Sequence, residues 1–280
     1  MDGALHPDDP RARLVALAGQ PDHQIDVAEA ALVIAQEEYP LLDVALYLSR
    51  LDELAADARV EVDTNRPPAE QVAQLNRFLF VRCGFTGNND NYYDPRNSFL
   101  NEVIDRRTGI PLTLSLIYAE VAQRLELPVY GVSFPGHFLV RHVGNPEIII
   151  DPFFGRIISE DECVQRLRGI YGSEARLDRR LLRPAGAREI LVRMLSNLKQ
   201  VYVERSDFLR ALGCAERSLL LIPDAPRELR DRGILYQRLE CFAAALRDFE
   251  RYLELAPDDD AAAVIRETLP DLHRQVAHLQ

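Results

Sequence analysis

The 280-residue chain is short of positive charge, of clustered cysteine and of long apolar runs, and each shortage excludes a class of function. It sets 33 Lys and Arg against 44 Asp and Glu, a formal net charge of −11. A surface that wraps a phosphate backbone must be basic, so no nucleic-acid partner is expected. The acidity otherwise favours solubility and names no partner. The four cysteines, Cys83, Cys163, Cys214 and Cys241, show no C-x-x-C spacing. That argues against a zinc site and against the disulfide framework of a small secreted domain. No uncharged apolar run approaches the ~20 residues needed to span a bilayer. The opening stretch MDGALHPDDPRARLVALAG has acids and prolines where a secretory leader needs a basic start and an apolar centre. The expectation is a reduced, cytoplasmic protein that meets no membrane.

With 47% hydrophobic residues, the chain can bury one sizeable core or two modest ones. Three regions separate by pattern. Residues 1–85 read as helices: AEAALVIAQEEYPLLDVALYLSRLDELAADAR has apolar residues at helical spacing and is broken in two by Pro40. A further helix follows Pro67 and Pro68. Residues 86–185 open on the turn-rich TGNNDNYYDPRN, which lacks the spacing of a calcium loop. A helix through SFLNEVIDRR and another starting after Thr108-Gly109 come next. Then VYGVSF, HFLVRHV and EIIIDPF, parted by Pro, Gly and Asn, read as antiparallel strands.

Residues 186–280 repeat at a period of 34: Tyr202 and Tyr236, Ala211 and Ala245, Leu221 and Leu255, Pro223 and Pro257. Gly233, Tyr236, Ala245, Phe249 and Pro257 fall at tetratricopeptide (TPR) spacings, whereas the first copy has Lys199 in place of the Gly. Two copies and a final helix over LPDLHRQVAHLQ make a short capped solenoid. The fold class expected is α+β: a helical N-terminal segment, a core of helices with a small antiparallel sheet, and C-terminal all-α repeats.

Within the middle region, GHFLVRHVGNPEIIIDPFFG brings His137 and Asp151 onto neighbouring strands, as a base and its orienting carboxylate would be. A thiol site of this kind keeps its nucleophile at a helix N-terminus, where the dipole and free N–H groups stabilise a thiolate. The helix beginning GIPLTLSLIYAEVAQRLELPVYGV has no thiol at its start. Ser115 lies one turn deeper, Thr113 points elsewhere, and Cys83 belongs to the preceding apolar helix. A metal site of His137, Asp151 and His142 is not expected, because strand positions 137 and 142 point to opposite faces.

The segments DPRNSFLNEVIDRRTGIPLTLSLIY, FPGHFLVRH and IIDPFFGRIIS, with YPLLDVALYLSRLDELA before them, resemble the SirB-type transglutaminase-like/TPR family from about residue 25 to 260. The resemblance implies a bacterial cytoplasmic protein of cysteine-protease-like fold; it fixes no substrate or cofactor, and no cofactor is expected. It aligns His137 and Asp151 with the superfamily's His and Asp, and Pro111 with its cysteine. Two functions are then open. One is a non-catalytic binding protein that takes a protein or peptide through the repeats and the old cleft, with His137, Asp151, Asn101, Arg107 and Ser115 as its polar groups. The other is a hydrolase or acyltransferase that uses the His137–Asp151 dyad with a different nucleophile or an activated water.

Overall fold

The computed structural model describes residues 9–278, so the reading of the first eight and last two residues lies outside the described residues. The chain divides into two compact units, Met1–Ile190 and Leu191–Gln280. No helix among the described residues is long and apolar enough to cross a membrane.

The first unit opens with four helices: α1 (Pro10–Ala18), α2 (Val27–Gln36), α3 (Val44–Glu61) and α4 (Pro68–Asn76). Their boundaries follow local chemistry. Asp26 and Asp43 cap α2 and α3 by accepting the N–H groups of Glu29 and Leu46, and Pro68 stands at the first position of α4, where its missing N–H costs nothing. A π-helical turn, Arg77–Arg82, carries the chain to Cys83. Strands β1 (Thr86–Gly87) and β2 (Thr108–Gly109) pair in parallel around α5 (Leu100–Arg106).

Helix α6 (Pro111–Arg124) is the centre of this unit, with Leu112 to Tyr118 all buried. Against it lies a four-stranded antiparallel sheet of β3 (Val129–Val132), β4 (Leu139–His142), β5 (Ile148–Asp151) and β6 (Arg156–Ile158), in that order. The register pairs Val140 with Ile150, Arg141 with Ile149 and Asp151 with Arg156. Both faces of the sheet are covered. Val132, Leu139, Ile149 and Ile158 share a core with Cys163 and Leu167 of α7 (Glu160–Tyr171) and with Leu182. Alternation sends Val140 and Ile150 to the other face, where they are also fully buried. Four consecutive buried residues in β5 explain why its sequence is an unbroken Ile run rather than an alternating one.

The sequence reading names no element between Phe153 and Arg183, where the structure has β6 and α7. The signal for α7 is nonetheless present. Ser159 and Glu162 form a capping box, each side chain bonding the other's backbone N–H.

The second unit continues from α8 (Ala187–Glu204), which begins in the first, through α9 (Phe208–Leu221), α10 (Pro226–Arg238), α11 (Phe242–Leu255) and α12 (Ala262–His278). The bounds of α9 and α11 are 34 residues apart at both ends, and α8 and α10 end 34 apart, as the repeat requires. Gly233 on α10 meets Phe249 on α11 so closely that a Cβ would sit 2.5 Å from the ring. In the first copy the sizes are exchanged, with Lys199 at the glycine position and Ala215 at the phenylalanine position. Lys199 is buried, and its ammonium reaches Glu228 at 2.7 Å and Asp231 at 2.8 Å, both on α10. The last helix begins seven residues before the expected Leu269 and runs through Pro270. Burial of Ala262, Ile265 and Leu272 along one side offsets the hydrogen bond that proline cannot donate.

Candidate functional site

His137 sits in a tight turn, two residues before β4 begins, rather than on the strand itself. Its N–H bonds the carbonyl of Phe134 at 3.1 Å, closing a turn over Pro135 and Gly136. Gly136 has φ 67°, so the pair suits a type II turn, with Pro at its second position and a left-handed Gly at its third. Any Cβ on Gly136 would also lie 2.7 Å from Ile170. Asp151 ends β5, fully buried, and its Oδ1 accepts the Phe153 N–H at 3.1 Å.

These two segments bring His137 Nε2 to 3.0 Å from Asp151 Oδ1. The second carboxylate oxygen, Oδ2, accepts from Arg166 of α7. Burial opposes ionisation of Asp151, but the bonds and charges of His137 and Arg166 outweigh it, and the carboxyl is held below its usual range. An ionised carboxylate only accepts, so Nε2 carries a proton, and in the neutral form of the ring the lone pair is on Nδ1. Among the described residues, Nδ1 has no hydrogen-bond partner.

Aromatic rings frame the pair. Phe154 lies parallel to the imidazole, with centroids 6.4 Å apart, and carries the Arg166 guanidinium 5.9 Å from its own centroid. Phe153 meets both His137 and Phe154 edge-on and leads to Tyr92 and Tyr93. Tyr92, Tyr93 and Phe154 are 41–53% exposed, so the row faces solvent beside the dyad.

The other sequence candidates lie in different settings. Pro111 is the first residue of α6. Thr113 Oγ1 donates to the Asn97 carbonyl at 2.7 Å and accepts the Ile110 N–H at 3.2 Å. Ser115 is fully buried, and its Oγ donates to the Phe138 carbonyl at 3.4 Å, tying α6 to the residue after His137. The Cys83 thiol is pushed up by burial, with Arg107 and Arg82 only partly offsetting the effect. Among the described residues, neither Cys83 nor Ser115 hydrogen-bonds the His137 ring. Asn101 is buried with its Oδ1 unpartnered among the described residues, and Arg107, at φ 57°, places its guanidinium 4.7 Å from the Phe85 ring centroid. No described hydrogen bond joins either residue to the dyad. His142 is turned into the interior: Nε2 meets Gln71 Oε1 at 3.0 Å, and Nδ1 accepts the Gly144 N–H at 3.0 Å.

The sequence reading passed over Arg166 and the aromatic pair Phe153-Phe154. The rings stand inside the quoted IIDPFFGRIIS. Arg166 was legible only as a basic residue in a capped helix, because its contact depends on where α7 packs.

Comparison with known proteins gives consistent matches. Residues 45–196 match a family model described as the transglutaminase-like superfamily, and residues 198–270 match a tetratricopeptide repeat model. A Xylella fastidiosa protein named UPF0162 protein is 44% identical over 92% of this chain and 94% of its own length. In Escherichia coli, UPF0162 protein YchA is 30% identical over 86% of this chain and 90% of its own. Salmonella typhimurium Protein SirB1 is 29% identical over 81% of this chain and 85% of its own.

Proposed function

The chain belongs to the SirB-type family of transglutaminase-like proteins with tetratricopeptide repeats, and from that membership we propose that it is a non-catalytic binding and regulatory factor of the bacterial cytoplasm. It takes a protein or peptide segment at the His137 surface and on the repeats. The observation that carries this reading is the state of the groups around the imidazole. Asp151 is its one described hydrogen-bond partner, Ser115 and Thr113 are committed to backbone carbonyls, and Pro111, which the resemblance sets at the superfamily's thiol position, is the first residue of α6. Proline offers neither an acidic side-chain proton nor a backbone N–H.

Arg166 strengthens the reading. It shares Asp151 with His137, so the carboxylate's charge is already balanced by a permanent cation, and less of it is left to stabilise an imidazolium. A partner would meet the exposed rings of Tyr92, Tyr93 and Phe154, the open Nδ1 acceptor and the partly exposed Arg107. Asn101 and Ser115 lie beneath as internal supports. The repeats add a second protein-binding surface.

Electrophilic thiol and serine probes on the full-length chain test this assignment. Labelling should be the same in the wild type and in His137→Ala; labelling that disappears in the variant would establish a His137-activated nucleophile. Affinity capture with the intact chain and with residues 191–280 removed tests the repeats. If removal changes none of the captured partners, the repeats are not the binding surface. The open Nδ1 favours one rival, hydrolysis by an activated water, to which a general base contributes about 10²–10⁴-fold. Ester hydrolysis that falls by that factor in His137→Ala would establish it instead.

A further inference from the structure

Arg141 stands in β4 between Tyr130 of β3 and Ile149 of β5, on the sheet face that carries the α7 core. Its side chain is only 15% exposed, yet among the described residues its guanidinium makes no hydrogen bond. Its ion-pair partner, Glu147, stays 3.8 Å from Nη1, and Nε is buried with no hydrogen-bond partner among the described residues. A guanidinium carries five N–H donors and stays charged at any pH the protein meets. Burying one is unfavourable unless those donors are met.

Arg141 borders a pocket of about 360 Å³ whose walls include Pro146, Ile149, Ile157, Ile158 and Leu182. Two carboxylates, Glu147 and Glu160, stand at its edge, but neither is left for Arg141 alone. Arg179 holds Glu147 at 2.8 Å and Glu160 at 3.3 Å. Arg179 thus meets both acids but offsets only one of their charges; Arg141 offsets the other without a hydrogen bond, so its donors remain for a group that enters the pocket.

We propose that this pocket binds a small apolar carboxylate, its two oxygens on the Arg141 guanidinium and its branched aliphatic or aromatic body against the isoleucines. The volume suits a small molecule. The aliphatic walls select an apolar body, and the planar fork of arginine matches a carboxylate. With Glu147 and Glu160 offset only by Arg141 and Arg179, no net positive charge is left to hold a dianion such as phosphate. The pocket shares no residue with the His137–Asp151 site, so the assignment is independent of the function proposed above. The two sites are nonetheless linked by α7, which starts at the pocket with Glu160 and reaches Asp151 with Arg166.

Ligand-observed saturation-transfer NMR on the full-length chain is the test, with isovalerate, isocaproate, benzoate and phenylacetate each set against its amide. At least one acid should bind saturably, and its amide should bind at least about 10-fold more weakly, because the charge-assisted bonds are lost. Arg141→Met keeps the bulk of the stem but removes the donors, and should weaken the same acid about 10- to 100-fold. Ile157→Trp alters a half-exposed wall residue and should block binding with Arg141 intact. It decides the matter if Arg141→Met does not fold, which amide fingerprint spectra would reveal. The proposal is overturned if no acid in the panel binds, if amides bind as tightly as acids, or if the folded variants bind like the wild type.

Discussion

Replacing Lys199 by methionine removes one ammonium and leaves a side chain of similar length, so it isolates the charge that joins the two repeats. In the native chain Lys199 is 8% exposed and Glu228 is 4% exposed, with 2.7 Å between Nζ and Oε2. Its second partner, Asp231, also has Arg230 at 2.8 Å, and that bond survives the substitution. Among the described residues, Glu228 keeps only the Ser196 hydroxyl at 3.3 Å. The loss therefore falls on one buried, uncompensated carboxylate, for which about 3–5 kcal/mol is the usual cost. Urea unfolding of the full-length chain measures it. Hydrogen exchange of α8 and α10 amides serves as a local readout, since a chain of two compact units can unfold in more than one step. Adding Glu228→Gln to Lys199→Met should recover at least ~2 kcal/mol, because the orphaned charge is gone. If Lys199→Met costs less than ~1 kcal/mol, or the two substitutions simply add, the ion pair does not hold the repeats together and the reasoning fails.

Two further outcomes follow from packing and from protonation. Gly233→Ala should destabilise by about 1–3 kcal/mol despite alanine's better helix propensity, because the new methyl meets the Phe249 ring; Phe249→Leu in the same chain should return part of the loss in a denaturant titration. His142 is buried neutral, with both ring nitrogens engaged, and burial lowers its pKa. The unfolded chain then binds the proton more readily, so stability should hold above the unfolded value of about 6.5 and decline as pH falls below it. Denaturation midpoints between pH 5 and pH 8 check this, and His142→Asn should flatten that decline.

Much of the architecture was legible because it rests on local rules. The prolines at helix starts and the apolar spacings act within a few residues of themselves, and the 34-residue period is a recurrence in the chain itself. The Phe134-Pro135-Gly136-His137 turn is also local, but the sequence reading placed His137 on the strand that follows it. The final helix was misjudged at Pro270, where burial of Ile265 and Leu272 outweighed a local rule. The site was only half legible. His137 and Asp151 stand out because each occupies a position with a turn or strand signature, and the tertiary structure places their atoms 3.0 Å apart.

By itself the sequence determined most of the helical and strand segments, the repeat and the absence of a thiol at the start of α6. Propensity, periodicity and residue identity are properties of the chain alone. Only the tertiary structure decided that α7 lies across the sheet. From that packing come the Arg166 bond to Asp151, the commitment of Ser115 to a carbonyl, and the pocket edge beside Arg141. Each joins residues from separate elements, and which side chains then meet depends on how helix and sheet bury their apolar faces.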